Sequence, residues 1–241
     1  KGSWFHLKYK LILTAHQPSY LPWLGLFSKI NLSDRFVYLD TVQYSKWDWS
    51  SRNKIRTPEG WLWLTVPVLS GGKHGQKFTE VKIDNTQKWN KKHLKAIKMS
   101  YSRAPYFDLY YNFFEEVFEQ EWIYLSKLNE FILLNLIKIL GINTKFVKAS
   151  ESLKLEGEKS ELVLDMCIKM NADEFIFGGE GKNYAEVEDF ESSGIKPIFQ
   201  EYEHPVYSQI HGEFIPNMSV IDLLFNCGPK SLDVLLDKDS D

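Results

Sequence analysis

The sequence predicts an α/β protein built on a mixed, largely parallel sheet, with an inserted β-hairpin and a central helical segment. Three observations carry that expectation. A short apolar run, Leu11-Ile12-Leu13-Thr14, leads into a proline-bounded loop, a stretch of helical periodicity and a second strand-like run. Strand, helix and strand return in the same order in the C-terminal third. Between them lie a tryptophan-rich alternating stretch and a long region of helical spacing that no simple doubly wound pattern contains.

Taken in order, residues 1–10 read as a lead-in compatible with a short strand, and the first core strand follows. His16 and Gln17 sit where the chain leaves it. Pro18, Pro22 and Gly25 shape the turn, and apolar residues resume at helical spacing over residues 24–33. Residues 34–40 form a second strand ending on the carboxylate of Asp40. Residues 55–68 make the hairpin around Pro58-Glu59-Gly60, Gly71-Gly72 opens a loop, and residues 78–84 suit a further strand. From 85 to 140 the pattern is helical, with Trp89, Leu94, Ile97 and Tyr101 recurring along one face. Helices over 107–118 and 122–140 follow, the last stopped by Gly141. Strands at 145–147, 174–177 and 196–199 alternate with a helix at 160–170. A closing helix at 219–225 has Ser219 as its N-cap and Asp222 in the capping-box position. Residues 237–241 read as a solvated tail. The expected organisation is one domain over 1–241, with an α/β part at 11–84, a helical part at 85–141 and a second α/β part at 142–236.

Composition narrows the function. Eight Trp, twelve Tyr and sixteen Phe suit a large core and pockets that stack on rings or sugars. A formal net charge of −3 with no basic tract argues against a primary nucleic-acid binder. The two cysteines, Cys167 and Cys227, make neither a disulfide framework nor a zinc site, so a cytoplasmic, reducing environment is expected. No apolar run reaches membrane-spanning length. No residue spacing suggests a metal site, and no cofactor is expected.

Four clusters are candidates for chemistry. His16 and Gln17, with Tyr20 and Trp23, follow the first strand, where ligands of parallel sheets bind; the alternative is a histidine that only hydrogen-bonds the turn. Asp40, Tyr44, Lys46, Arg52, Asn53 and Lys54 form a polar cluster suited to phosphate or carboxylate, or else a solvated loop with local ion pairs. Gly178-Gly179-Glu180-Gly181 follows a strand, so its backbone can approach an anion, although the same residues read first as a simple tight turn. His204, Tyr207 and Gln209 lie in a proline-bounded loop before the last helix, as site residues or as wall and cap. Cys227 is a nucleophile in one reading and a packed thiol in the other.

These motifs, taken together, resemble a known family. His16-Gln-Pro-Ser-Tyr-Leu-Pro-Trp-Leu-Gly-Leu-Phe27, Ser33-Asp-Arg-Phe-Val-Tyr-Leu-Asp40, Arg52-Asn-Lys-Ile55 and Trp63-Leu-Thr-Val-Pro67 are similar to ordered motifs of the WbqC-like family. So are His204-Pro-Val-Tyr-Ser-Gln209 and the segment from Phe214 to Asn226. The resemblance implies a role in bacterial surface-polysaccharide assembly, among pathways that make and decorate amino sugars. Ser51 stands where many members carry Asn, and many have the Gln-Pro pair without a preceding His, which makes Gln17 the firmer family residue.

With the resemblance, the leading expectation is a transferase moving an acyl or aminoacyl group onto an amino sugar. His16 or His204 is the base, and Gln17, Asn53 and Tyr44 donate to an oxyanion. Tyr20 and Trp23 stack on the sugar, and Lys46, Arg52 and Lys54 hold its phosphates. The substrate is a small molecule, such as a nucleotide-linked amino sugar, with an acyl carrier or other donor protein as partner. Two alternatives stay open: a nucleotidyl-transfer-like enzyme of sugar activation, and a non-catalytic scaffold of a glycan assembly complex.

Overall fold

In the computed structural model, which describes residues 9–46, 48–72 and 75–237, the first apolar run becomes the middle of a sheet. Strand β1 (Ile12–His16) lies between β2 (Arg35–Tyr38) and β6 (Glu174–Phe177). Beyond β2 lies β5 (Lys145–Lys148), and beyond β6 lies β7 (Lys196–Phe199). The order β5-β2-β1-β6-β7 is parallel at every pairing, with His16 opposite Tyr38 and Thr14 opposite both Phe36 and Ile176. A strand covered on both faces tolerates a polar group only when it is paired. Thr14 meets that condition by donating its hydroxyl to the Ile176 carbonyl at 2.7 Å.

The strand order reverses at β1. From β1 the chain goes through helix α1 (Leu24–Asn31) to β2, then through a long excursion to β5. That excursion holds the antiparallel hairpin β3 (Arg52–Thr57) and β4 (Gly60–Thr65), a separate two-stranded sheet. It also holds α2 (Trp89–Tyr101), α3 (Phe107–Glu119) and α4 (Leu125–Ile139). After β5 come α5 (Ala149–Ser152) and α6 (Lys159–Met170), then β6, α7 (Val187–Ser192) and β7. Helices α8 (Val220–Cys227) and α9 (Ser231–Leu235) close the described chain.

Alternation along the strands divides the core in two. Phe36 and Tyr38 join Leu24, Phe27 and Ile30 of α1 and the apolar faces of α2, α3, α4 and α8. Leu13, Ala15, Val37 and Leu39 face the other way, onto Val163, Met166 and Cys167 of α6 and Phe190 of α7. Among the described residues no helix is long and apolar enough to cross a membrane.

Three local expectations are corrected. Residues 78–84 do not form a strand. Phe78 and Val81 are both buried, an i, i+3 spacing that a 3-10 turn over Phe78–Glu80 satisfies and an alternating strand cannot. The extended remainder makes isolated bridges, Val68 to Ile83 and Lys82 to Tyr124. The third long helix begins at Leu125 rather than at 122, because the Trp122 indole donates to the Val117 carbonyl and Ile123 accepts from Ile83 N–H. Ser219 does cap α8, its hydroxyl accepting from Ile221 N–H, but Asp222 does not complete a capping box. The Ser219 N–H donates to the Lys54 carbonyl instead, and the Asp222 carboxylate is used elsewhere. Most of the lead-in, residues 1–8, and of the tail, 238–241, lies outside the described residues.

Candidate functional site

A parallel sheet whose strand order reverses leaves a crevice at the carboxyl ends of the two strands that part company. Here those strands are β1 and β6. A hollow of ≈ 240 Å³ opens there, lined by His16 from the end of β1 and by Trp23, Gly25, Leu26 and Lys29 from the entry and body of α1. Gly178 and Gly179 beyond β6, with Gln200 and Tyr202 beyond β7, complete it.

The loop that shapes this hollow is held under local strain. Leu21 has φ 44°, a left-handed conformation that costs a non-glycine residue about 1 kcal/mol or more. Asn53 of the hairpin keeps it there, donating its side-chain amide to the Leu21 carbonyl at 2.6 Å. Trp23 then folds across Gly25, so closely that a Cβ at position 25 would lie 2.3 Å from the indole. The indole edge also meets Tyr202 at a centroid distance of 5.5 Å, and Gln200 donates to the Gly25 carbonyl at 3.0 Å. One wall of the pocket is therefore an indole that only glycine at position 25 accommodates.

Charge distinguishes the pocket. Lys29 is 4 % exposed and donates to the Ala15 carbonyl at 2.9 Å. Among the described residues no carboxylate lies within 4.0 Å of its ammonium. Burial lowers its pKa to about 8, so the group is still mostly charged at pH 7. A buried, uncompensated cation is costly unless an anion visits it. Gly178 gives such a visitor room, since a Cβ there would meet only the Lys29 ammonium, at 3.9 Å.

His16 reports the same field. Burial, and next the Lys29 charge, lower its pKa to about 4, against the opposing effects of the Gln17 carbonyl and Asp48. Its Nδ1 lies 2.7 Å from that carbonyl, so Nδ1 carries the proton and Nε2 the lone pair. The pocket thus combines a neutral imidazole with a cation.

Of the residues expected from the sequence, His16 and Trp23 line this pocket. Gln17 does not; its amide donates to Asp48 at 2.6 Å. Tyr20 is fully buried with its hydroxyl on His93 Nδ1 at 2.7 Å, so it packs the core and offers no sugar platform. Asp40 ends on the same sheet edge as His16, but it is 0 % exposed. Both its oxygens are taken by Ser150, from the backbone N–H at 2.9 Å and the hydroxyl at 2.6 Å. Tyr44 and Asn53 are buried and serve the loop and hairpin, and neither lines the pocket. Lys46 is exposed, whereas Arg52 and Lys54 lie over the indoles of β4.

His204, Tyr207 and Gln209 gather at a second place. The carboxylate of Asp222, 0 % exposed, accepts from Tyr101, Tyr207 and Gln209, each at 2.8 Å. His204 stacks on Tyr207 and meets Tyr202 edge-on, and of these three only Tyr202 lines the pocket that His204 was expected to serve. Cys227 is pushed up to about 11 and Cys167 to about 12 by burial, which makes both poor nucleophiles.

Sequence reasoning missed Lys29, Gln200, Tyr202 and the hub role of Asp222. A signal for Lys29 was present: it is the one charge in a helix whose residues 24–30 are all buried. Gln200 and Tyr202 carried none, because only the tertiary fold brings the end of β7 beside α1.

The sequence profile of the WbqC-like protein family matches residues 17–234. The uncharacterized protein Rv1507c of Mycobacterium tuberculosis is 34% identical over 221 residues, 91% of this chain and 95% of its own length. No solved structure matches. The chain belongs to the WbqC-like protein family.

Proposed function

We propose that the protein is a transferase of bacterial surface-polysaccharide assembly, placing an acyl or aminoacyl group on an amino sugar held by its phosphate in the switch-point pocket. The observation that carries this reading is the pairing of buried, uncompensated Lys29 with neutral His16 in one hollow. Lys29, in the last turn of α1, receives the phosphate on its ammonium. Trp23 offers the sugar ring an apolar wall.

The chemistry then balances as follows. The sugar amine attacks the carbonyl carbon of an activated donor such as a thioester. His16 Nε2 takes the amine proton as the C–N bond forms. The C–S bond breaks, and the imidazolium returns that proton to the departing thiolate. An imidazole near pKa 4 is a weak base, yet a bound phosphate neutralises the Lys29 charge that helps to lower it. Substrate binding thereby raises the basicity of the group that needs it. Gln17, Asn53 and Tyr44 are occupied with Asp48, Leu21 and Ser51, so oxyanion donors on this reading come from the backbone at Gly178-Gly179.

The nucleotidyl-transfer reading draws on the same switch-point geometry, but the acidic residue after β2 that would hold a ribose, Asp40, is committed to Ser150. Thermal-shift measurements with inorganic phosphate, a nucleotide-linked amino sugar, and a nucleoside triphosphate with magnesium separate the readings. Mass spectrometry with a thioester donor reads the product. The acyl-transfer reading expects stabilisation by phosphate and by the sugar nucleotide, lost in Lys29→Gln, together with N-acylated sugar. Stabilisation by the triphosphate alone moves the assignment to nucleotidyl transfer. Phosphate binding unchanged in Lys29→Gln sinks both.

A further inference from the structure

Hairpin β3–β4 presents an outer face that the pocket chemistry does not use. In its antiparallel register Arg52 pairs with Thr65, Lys54 with Trp63 and Arg56 with Trp61. The Arg52 guanidinium lies 4.5 Å from the Trp63 ring centroid, and the Lys54 ammonium lies 5.3 Å from that of Trp61. Trp49, from the preceding loop, adds a third indole 5.4 Å from Trp63. Trp61 is 48% and Trp49 46% exposed. Solvent-facing indoles at this density are an unusual use of apolar surface and mark an interaction site.

We propose that this face binds an acidic sugar chain, with pyranose rings stacked on Trp61 and Trp49 and their carboxylate or phosphate groups meeting Lys54 and Arg52. A pyranose presents a patch of polarised C–H groups, which makes with an indole the same electrostatic face contact that a cation makes. The rings do not lie parallel: Trp61 and Trp63 meet at 84° and Trp49 and Trp63 at 44°. Successive nucleobases need a run of parallel platforms, whereas sugar rings joined by bent glycosidic linkages meet faces at differing angles. A bilayer would require the indoles to leave water together, yet here ammonium and guanidinium groups lie against them and keep that face hydrated.

The face also adjoins the pocket wall through the backbone. The Lys54 carbonyl accepts from Ser219 N–H at 2.9 Å, and Ser219 bridges to Trp23, the pocket wall. A chain lying on the hairpin would start beside the residue against which the pocket's own sugar rests. The proposal deepens the polysaccharide reading, but it does not depend on the acyl-transfer step.

Affinity electrophoresis of the intact protein in gels containing polygalacturonate, or neutral dextran, tests it. Retardation by polygalacturonate is expected to weaken about fivefold or more in Trp61→Ala and in Lys54→Gln. Unchanged melting temperature and an intact phosphate response show that these variants remain folded. Lys29→Met should lose the phosphate response and keep the retardation, so failure of the pocket reading and failure of this one are distinguishable. Absence of retardation, retardation unaltered in Trp61→Ala, or stronger binding to oligodeoxythymidine or phosphatidylglycerol vesicles overturns the proposal.

Discussion

Replacing Lys29 with Met should make the protein more stable while removing its anion site. The magnitude follows from the pKa, which falls from 10.5 to about 8 on folding. Each unit corresponds to about 1.4 kcal/mol, so holding the charged amine at pH 7 costs the folded state about 3 kcal/mol. Methionine fills the same volume without that cost. For a chain of this size the gain corresponds to a rise of about 6 °C in melting temperature. The pH dependence is specific to the lysine. Between pH 8 and 10.5 the unfolded state holds its proton and the folded state has released it, so the wild type gains stability with rising pH across that window. The advantage of Lys29→Met should therefore be full at pH 7 and largely gone by pH 10. Paired thermal melts of the two proteins at pH 7 and pH 10 supply the test, since their difference cancels every other titrating group. A variant equally destabilised at both values would refute the claim that the ammonium is buried without compensation.

Other consequences are as specific. Gly25→Ala should expel the Trp23 indole and weaken phosphosugar affinity at least tenfold while leaving far-UV circular dichroism unchanged; calorimetric titration checks it. Asn53→Ala releases the strained Leu21 carbonyl and should cost about 2 kcal/mol in urea unfolding, with faster amide exchange across the loop that follows β1. His93 is lowered to about 3 and His16 to about 4, so both stay neutral when folded but take up protons once unfolded below pH 6.5. Stability should thus fall as pH drops from 6.5 toward 4, and His93→Gln should reduce that slope near pH 5 by about 1.4 kcal/mol per pH unit. Asp40→Ala should lower stability by about 1–2 kcal/mol through the lost contacts to Ser150, yet leave phosphate affinity unchanged; an altered affinity would return Asp40 to the binding site.

Periodicity proved a good guide wherever one face of an element was buried. The hairpin, α1 and the long helices come from alternation or helical spacing that burial enforces, and the parallel strands from short apolar runs buried on both faces. It failed at residues 78–84, where two buried side chains three apart serve separate neighbours rather than one sheet. That His16 and Trp23 line the hollow was readable because both flank the turn at the carboxyl end of β1, where a parallel sheet opens its crevice. Tyr20 and Asn53 were misleading for a physical reason: polar atoms in a binding loop are also what buries that loop's own backbone safely. Asp222 was hidden by a sequence pattern that fits a cap and a hub equally well, and only the tyrosines brought by α2 and the 204–217 loop decide between them.

The position of β1 has a bearing on how the chain is made. Its contact with β6 joins Thr14 to Ile176 across 162 residues, whereas its other neighbour, β2, follows at once. At ribosomal rates of roughly 5–20 residues per second, one edge of the central strand stays open for about 8–30 s after its partner on the other side can form. During that interval an apolar strand waits with its amides uncovered. Nascent chains should accordingly need protection until Phe177 has emerged, and truncations ending before β6 should aggregate even though they retain most of the larger core, all of it but the residues of α8, α9 and Tyr207.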